Sequence, residues 1–319
     1  MTFFTNRRRA KSEQVPDADR LLEKPTGLWR GAGRRLLRRK TGVFGLSIIS
    51  FMVVVAVFAP LIAPFEPDEV LIGQEENIKR RDSPCVHFLG CEDERPTHIL
   101  GLDGNARDQF SRIVFGARVS LSVGFTTVFI AFVIGATLGA ISGFWGGWID
   151  NLIMRIMDVI LGFPALLLAI AIVAVLGPGL RNTLLAIAIV SIPVYARVMR
   201  ASVLGVKELD FVAASRALGA SKIRILWSRV VPNALTPLVV IATLGIATAI
   251  LDAAAFGFLG LGAQEPTAEW GGMLARERNQ VFSSPHLVFF PGLAIMITVL
   301  GFNLLGDGLR DALDPSLNE

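Results

Sequence analysis

Two cysteines, three histidines and a few charges set among long apolar runs are the residues of this 319-residue chain that could do chemistry. Cys85, His87, Cys91 and His98 follow the order Cys-x-His-x3-Cys-x6-His. Three outcomes are open for them: a disulfide, free thiols, or a zinc site. The spacing matches no zinc module. Two nearby cysteines in an oxidising compartment more often pair than stay free. Closing so short a loop would add about 2 kcal/mol in the chain-entropy account. Hydrolytic chemistry lacks its parts. A nucleophile needs a base beside it, yet His87, His98 and His286 all fall in or beside segments expected outside the membrane. The sequence contains no H-E-x-x-H, no G-x-S-x-G and no G-x-x-x-x-G-K-[ST], and no glycine directly precedes a lysine. Nothing in it would cradle a nucleotide phosphate.

The elements that must position these residues belong to a membrane. The chain is 52% hydrophobic and 18% charged, with a mean hydropathy of +0.56, a balance that a soluble domain of this length does not show. No ionisable residue lies between Lys40 and Glu66, Arg118 and Asp150, Asp158 and Arg181, or Arg229 and Asp252. Arg278 to Asp307 is likewise free of charge if His286 is set aside. Each run exceeds the roughly 20 apolar residues that a helix needs to cross. A shorter run, Asn182 to Ala196, reaches that length if Arg181 and Arg197 snorkel to the two surfaces. The expected fold class is therefore an all-α polytopic membrane protein with six transmembrane helices.

The Lys/Arg distribution orients the spans. Residues 1–42 hold twelve of the 31 Lys/Arg, and seven more fall from Arg197 to Arg229. By the positive-inside rule both regions are cytoplasmic. The expected layout is a basic cytoplasmic tail over 1–42, a first span over 43–65 ended by Pro60 and Pro64, and an external segment over 66–116 with both cysteines. A membrane core over 117–306 and a cytoplasmic tail over 307–319 follow, so both termini are cytoplasmic. The first apolar run is too long and too far from the start for a cleaved signal, and the basic tail reads as a topology and lipid-attraction signal.

Within the core, Gly135, Gly139 and Gly143 recur at four-residue intervals and leave a helix face bare for close packing. Trp145 and Trp148 suit an interfacial belt. Arg155 and Asp158 stand three apart and could neutralise each other. Pro164 and Pro193 interrupt the third and fourth spans, which suits a pathway lined by broken helices. The fifth span is expected over about 232–252, an irregular outer stretch over 252–274 and the sixth span over about 287–305. Of the polar residues in the runs, Arg155, Asp158, Asp252, Asn303 and Asp307 all lie toward run ends, so the pathway is expected to be mainly apolar.

Between spans four and five lies LDFVAASRALGASKIRILWSRVVPN, residues 209–233. Helix one, about 206–218, should end at Gly219, which takes a left-handed C-cap cheaply. Ser221 is a good N-cap for helix two. This resembles a DNA-reading helix-turn-helix, but a span at each end tethers it to the bilayer. An inert loop would have no need of Leu209, Val212, Leu218 and Ile223 among Arg216, Lys222, Arg224 and Arg229. A docking knob for a cytoplasmic protein explains both faces.

At AASRALGASKIRILWSRVVPN the hairpin resembles the E-A-A…G…I…L-P loop of permease subunits of ABC importers. Gly219, Pro232 and Asn233 match that pattern, whereas its acidic residue falls on Ala213. LGLDGNARDQFSRIVFGARVSLSVG (100–124), FLGLGAQEPTAEWGGML (258–274) and FPGLAIMITVLGFNLLGDGLRDALDP (290–315) are similar to the C-type permease of dipeptide, oligopeptide and glutathione importers. Glu265 and Ala268 stand where prolines are usual there, which implies a less rigid outer loop.

The resemblance implies a bacterial inner-membrane subunit that pairs with a B-type permease, two cytoplasmic ATPase subunits and an extracytoplasmic peptide-binding protein, with no nucleic acid. This chain would bind no cofactor, ATP and Mg being held by the ATPases. Coupling residues would be Leu209, Val212, Ala213, Ala214, Arg216, Leu218, Gly219, Ala220, Ser221, Ile223, Arg224 and Pro232 within or beside the 206–230 hairpin. Dipeptides, longer peptides, glutathione and chelated nickel are all served by similar permeases.

Overall fold

A computed structural model of the chain describes residues 28–87, 91 and 96–313. Most of the expected basic tail, residues 1–27, and the end of the chain, 314–319, lie outside the described residues. Among those described, helices carry the architecture and β pairing is limited to isolated bridges.

A short helix α1 (Leu28–Leu36) leads into α2 (Lys40–Val57), which breaks at Phe58 before α3 (Ala59–Ile62). Pro60 sits at the start of α3; lacking an N–H and crowding the preceding turn, it cannot continue α2. Ala63, the residue before Pro64, turns extended and ends the run. After the 66–108 segment comes α4 (Gln109–Trp145), whose first turn is capped by Asp108 accepting from Ser111 N at 2.7 Å.

The third span is a bent pair, α5 (Gly147–Leu161) and α6 (Ala165–Leu176), which meet at 89°. Gly162 weakens the helix there and Pro164 forces Phe163 out of helical geometry. Pro193, in contrast, leaves α7 (Leu180–Val206) continuous, correcting the expectation of a broken fourth span. It is buried where α7 packs tightly on α4. α8 (Asp210–Ala217) and α9 (Lys222–Ile225) form the hairpin. A π-helical turn (Leu226–Val230) joins α9 to α10 (Val231–Phe258), so Lys222–Phe258 is one continuous 37-residue helix. The fifth span thus begins inside the hairpin and outlasts the expected end near residue 252. The wide turn precedes Pro232, and it gives the proline ring room against the carbonyl four residues back. α11 (Trp270–Glu277) and α12 (His286–Leu313) complete the chain, α12 running past the expected end of the core near 306.

Five single helices are long and apolar enough to cross a membrane, and there are six crossings if the bent pair is one broken span. Small residues bring them together. A Cβ on Gly135 would lie 2.6 Å from Tyr195 Cβ, one on Gly143 would lie 2.9 Å from the Arg200 carbonyl, and Gly139 abuts the Ala196 carbonyl. The numbers rise together, so α4 and α7 run parallel with backbones in contact. α2 and α12 are antiparallel: Gly45 faces Gly301 and Leu305, and Gly42 faces Gly308.

These directions place the start of α2, the end of α12 and the 206–230 hairpin at one end of the bundle. The described residues of 66–108 and the segment 259–285 lie at the other and form a cap. Arg112, almost fully buried, donates from Nη1 to the Pro67 carbonyl at 2.5 Å and from Nη2 to that of Pro266 at 3.4 Å. Glu277 accepts from Arg81 Nε at 2.8 Å and from Gly104 N at 3.0 Å.

Candidate functional site

The hairpin is built by local sequence. α8 ends in a Schellman motif: Gly219 N donates to the Arg216 carbonyl at 3.0 Å and Ala220 N to that of Ser215 at 3.2 Å. Gly219 supplies the left-handed residue, φ +80°. Ser221 caps α9 by accepting from Arg224 N at 3.4 Å. Helix one is shorter than sequence suggests, because α7 runs to Val206 and α8 begins only at Asp210.

Two faces separate cleanly. Val212, Ile225, Leu226 and Val230 are buried against Met199, Val203 and Leu238. Val212 therefore belongs to the protein's own core and not to a free docking face, a correction to the sequence expectation. By contrast Leu218 is 88% exposed and Ile223 63%, and Leu209, Phe211 and Trp227 are about half exposed. Ala213, Ala214, Arg216, Gly219, Ser221, Arg224 and Pro232 are also exposed, and Ala220 is half-buried. Phe211 and Trp227 were missed by sequence reasoning. Trp227 follows Ile223 by four residues, a spacing that signals a shared face.

The hairpin is anchored at its base. Ser202 Oγ donates to the Ala234 carbonyl at 2.9 Å, tying α7 to α10. Arg200 grips Asp150 through Nε and Nη2, each at 2.6 Å, and Lys207 Nζ donates to the Gly143 carbonyl at 3.0 Å. α5, α4 and the hairpin's first connection are thus fastened together. Asp158, expected to pair with Arg155 on its own helix, instead accepts from Arg197 Nη2 at 2.6 Å. Helix packing brings α7 against α5, and the cross-helix partner wins.

At the cap, Cys85 and Cys91 form a disulfide. Cys85 N also donates to the His98 carbonyl at 2.9 Å. The buried His98 ring stands between Asp108 Oδ1 at 3.1 Å and Glu75 Oε2 at 3.0 Å. Burial disfavours its imidazolium, but the two carboxylates more than offset this, so the pKa lies above the usual 6.5. Among the described residues no group of three or more His, Cys, Asp or Glu side chains is arranged so that it could hold a metal ion, the carboxylates beside His98 being taken up by hydrogen bonds to the ring. Glu265, expected to loosen the loop it stands in, fastens it by accepting from Arg107 Nη2 at 3.1 Å, with Arg276 Nε at 3.4 Å. Ala268 is buried. Glu269 caps α11, accepting from Gly271 N and Gly272 N at 2.8 Å each; burial still pushes its carboxyl pKa upward.

Residues 135–319 match the family of binding-protein-dependent transport system inner membrane components, and residues 27–83 match the N-terminal transmembrane domain of oligopeptide transport permease C. The chain is 48% identical over 289 residues to the dipeptide transport system permease protein DppC of Alkalihalophilus pseudofirmus, covering 91% of this chain and 90% of that one. It is 45% identical over 303 residues to the di/tripeptide permease protein DppC of Pseudomonas aeruginosa, covering 95% and 97%. With the glutathione transport system permease protein GsiD of Escherichia coli O6:K15:H31 it shares 42% over 320 residues, covering 99% of each. The fold resembles the MetNI methionine ABC transporter in an inward-facing form, at TM-score 0.52 and 21% identity over 64% of this chain and 96% of that one. Its bundle, its hairpin and its relatives agree: the chain belongs to the inner-membrane permease subunits of binding-protein-dependent ABC importers, in the oligopeptide permease C branch.

Proposed function

We propose that this subunit forms half of the membrane pathway of an ATP-driven importer of di- and oligopeptides, and that its 206–230 hairpin is the handle by which a cytoplasmic ATPase subunit moves it. The observation that carries this reading is that the hairpin exposes Leu218, Ile223, Phe211 and Trp227 together with Arg216, Lys222 and Arg224. Such a surface is costly in water and matches a groove with acidic edges. The hairpin end also collects Arg34, Arg35, Arg38, Arg39 and Lys40 with Arg197, Arg200 and Lys207, which supports a cytoplasmic placement of that end and of both termini.

Because α9, the π turn and α10 are continuous, a displacement of the hairpin passes along about 55 Å of helix at 1.5 Å per residue to the cap. ATP and Mg are held by the ATPase subunits; this chain contributes leverage. In this reading ATP closes the ATPases, the hairpins follow, and the spans open towards a loaded binding protein; hydrolysis resets the assembly. A second, B-type permease supplies the other half of the pathway. The names of the most similar relatives favour peptides as cargo, glutathione being itself a small peptide.

The test is reconstitution. Proteoliposomes holding this chain, its partner permease and two ATPases should accumulate dialanine only with ATP inside the ATPase-facing compartment and binding protein on the other side. Uptake by this chain alone, or ATP hydrolysis by it alone, would overturn the proposal.

A further inference from the structure

A cavity of about 220 Å³ lies among α6, α7 and α10, bounded by Leu161, Ala169, Val194 and Phe256, with Ser191, Thr248 and Asp252 as its polar side chains. Its depth follows from the chain. Thr183 Oγ1 and Gly179 N at the start of α7 both donate to the Leu261 carbonyl just past α10, at 2.9 and 3.0 Å. Ser191 lies about 18 Å of helix below Gly179 at 1.5 Å per residue. Asp252 lies six residues before the end of α10 at Phe258, or about 9 Å of helix. If α10 ends at the edge of a hydrocarbon layer about 30 Å thick, the cavity lies inside that layer, beside the break between α5 and α6. Asp252, expected near a surface, then stands about 9 Å of helix within it.

Asp252 is half-buried, and among the described residues no hydrogen-bond donor or cation acts on its carboxylate. It is also the lone charged residue in the cavity lining. The two hydroxyls do not serve it: Ser191 Oγ donates to the Ile187 carbonyl at 2.8 Å and Thr248 Oγ1 to that of Leu244 at 3.4 Å. A charge at such depth is expensive to retain and marks a pathway group with a cationic partner. One carboxylate cannot hold a divalent ion, which needs six or more oxygens in the case of calcium. An ammonium attached to an apolar body fits both the carboxylate and the walls. The space equals roughly seven waters at about 30 Å³ each, enough for an amino terminus and its first side chain.

We propose that Asp252 receives the free α-ammonium group of the peptide in transit, a charge-assisted contact inside an otherwise apolar pathway. This rests on the peptide-import reading. Selection by the binding protein would then be followed by a second check, for a free amino terminus, within the membrane.

The experiment uses the assembled importer in proteoliposomes, with dialanine as probe. Asp252→Asn keeps the shape and removes the charge, and should lower dialanine uptake about tenfold, while Asp252→Glu stays within about threefold of the parent, as loss of a charge-assisted bond requires. A membrane-soluble carbodiimide added during transport should activate the Asp252 carboxyl as an O-acylisourea. Attack by the peptide amine would form the amide and release the urea, leaving dialanine fixed at residue 252 by mass spectrometry. N-acetyl-dialanine should leave no adduct. Unaltered uptake by Asp252→Asn, equal loss in Asn and Glu variants, or absence of the adduct in an importer that does transport dialanine overturns the inference. Failure of the unmodified importer to transport any dipeptide instead overturns the peptide reading beneath it.

Discussion

Arg200 holds Asp150 in a two-pronged grip, with Nε and Nη2 each 2.6 Å from a different carboxylate oxygen, while Ser142 Oγ donates to the same group. The grip joins three helices one step before the hairpin. Removing the charge with Asp150→Asn should cost about 1 kcal/mol, less than a fully buried charge-assisted pair because the arginine is one-third exposed. The loss should appear as a melting temperature lowered by a few degrees in detergent. The charge-swapped pair Asp150→Arg with Arg200→Asp should recover part of it.

Gly219 is where the proposed coupling can be tested. A Cβ there meets nothing within 4 Å, so the only penalty is its positive φ of +80°. Gly219→Val should cost about 1–2 kcal/mol locally, shift α9 relative to α8, and leave insertion intact. ATP hydrolysis by the assembled importer should continue while peptide uptake falls, measured side by side in proteoliposomes.

Gly139 should tolerate nothing larger than hydrogen, since it touches the Ala196 carbonyl. Gly139→Ala should destabilise the bundle by about 1–3 kcal/mol through overpacking. Gly205, in α7 with nothing within 4 Å of its would-be Cβ, is the control. Gly205→Ala should be neutral or slightly stabilising. Denaturation of the two purified variants compares them.

His98 makes the cap sensitive to pH. Its folded pKa is raised by Asp108 and Glu75 despite burial. The stabilisation is therefore complete below the unfolded value near 6.5 and is lost as pH rises through the higher folded value. Proteolysis of the 66–108 segment should be slower at pH 5.5 than at pH 9. His98→Gln should flatten that dependence.

The crossings were legible because hydrocarbon tolerates so few charges: the runs from Lys40, Arg118, Asp158, Arg229 and Arg278 each became a helix or the bent pair. The Gly219 cap and the Ser221 cap were legible because each is settled within five residues. What could not be read depends on neighbours distant in sequence. Val212 looks like its exposed neighbour Phe211 until Ile225 and Leu226 fold over it. Asp158 has a cation three residues away, yet packing offers it Arg197. Pro164 and Pro193 look alike in sequence, but only the first is preceded by a glycine two residues earlier and lies where no helix packs tightly. The direct fastening of Glu265 to Arg107 needed the fold to bring residues 107 and 265 together.

If the hairpin is the handle, Leu218, its most exposed apolar side chain, meets the ATPase. With Cys85 and Cys91 joined to each other, Leu218→Cys introduces a single reactive thiol among the described residues. In the assembled importer a short bifunctional maleimide should join it to an ATPase subunit carrying a cysteine at its groove, and uptake should stop while the link persists. Labelling of Leu218→Cys by an impermeant maleimide from outside intact cells, with no link to the ATPase, would contradict the account.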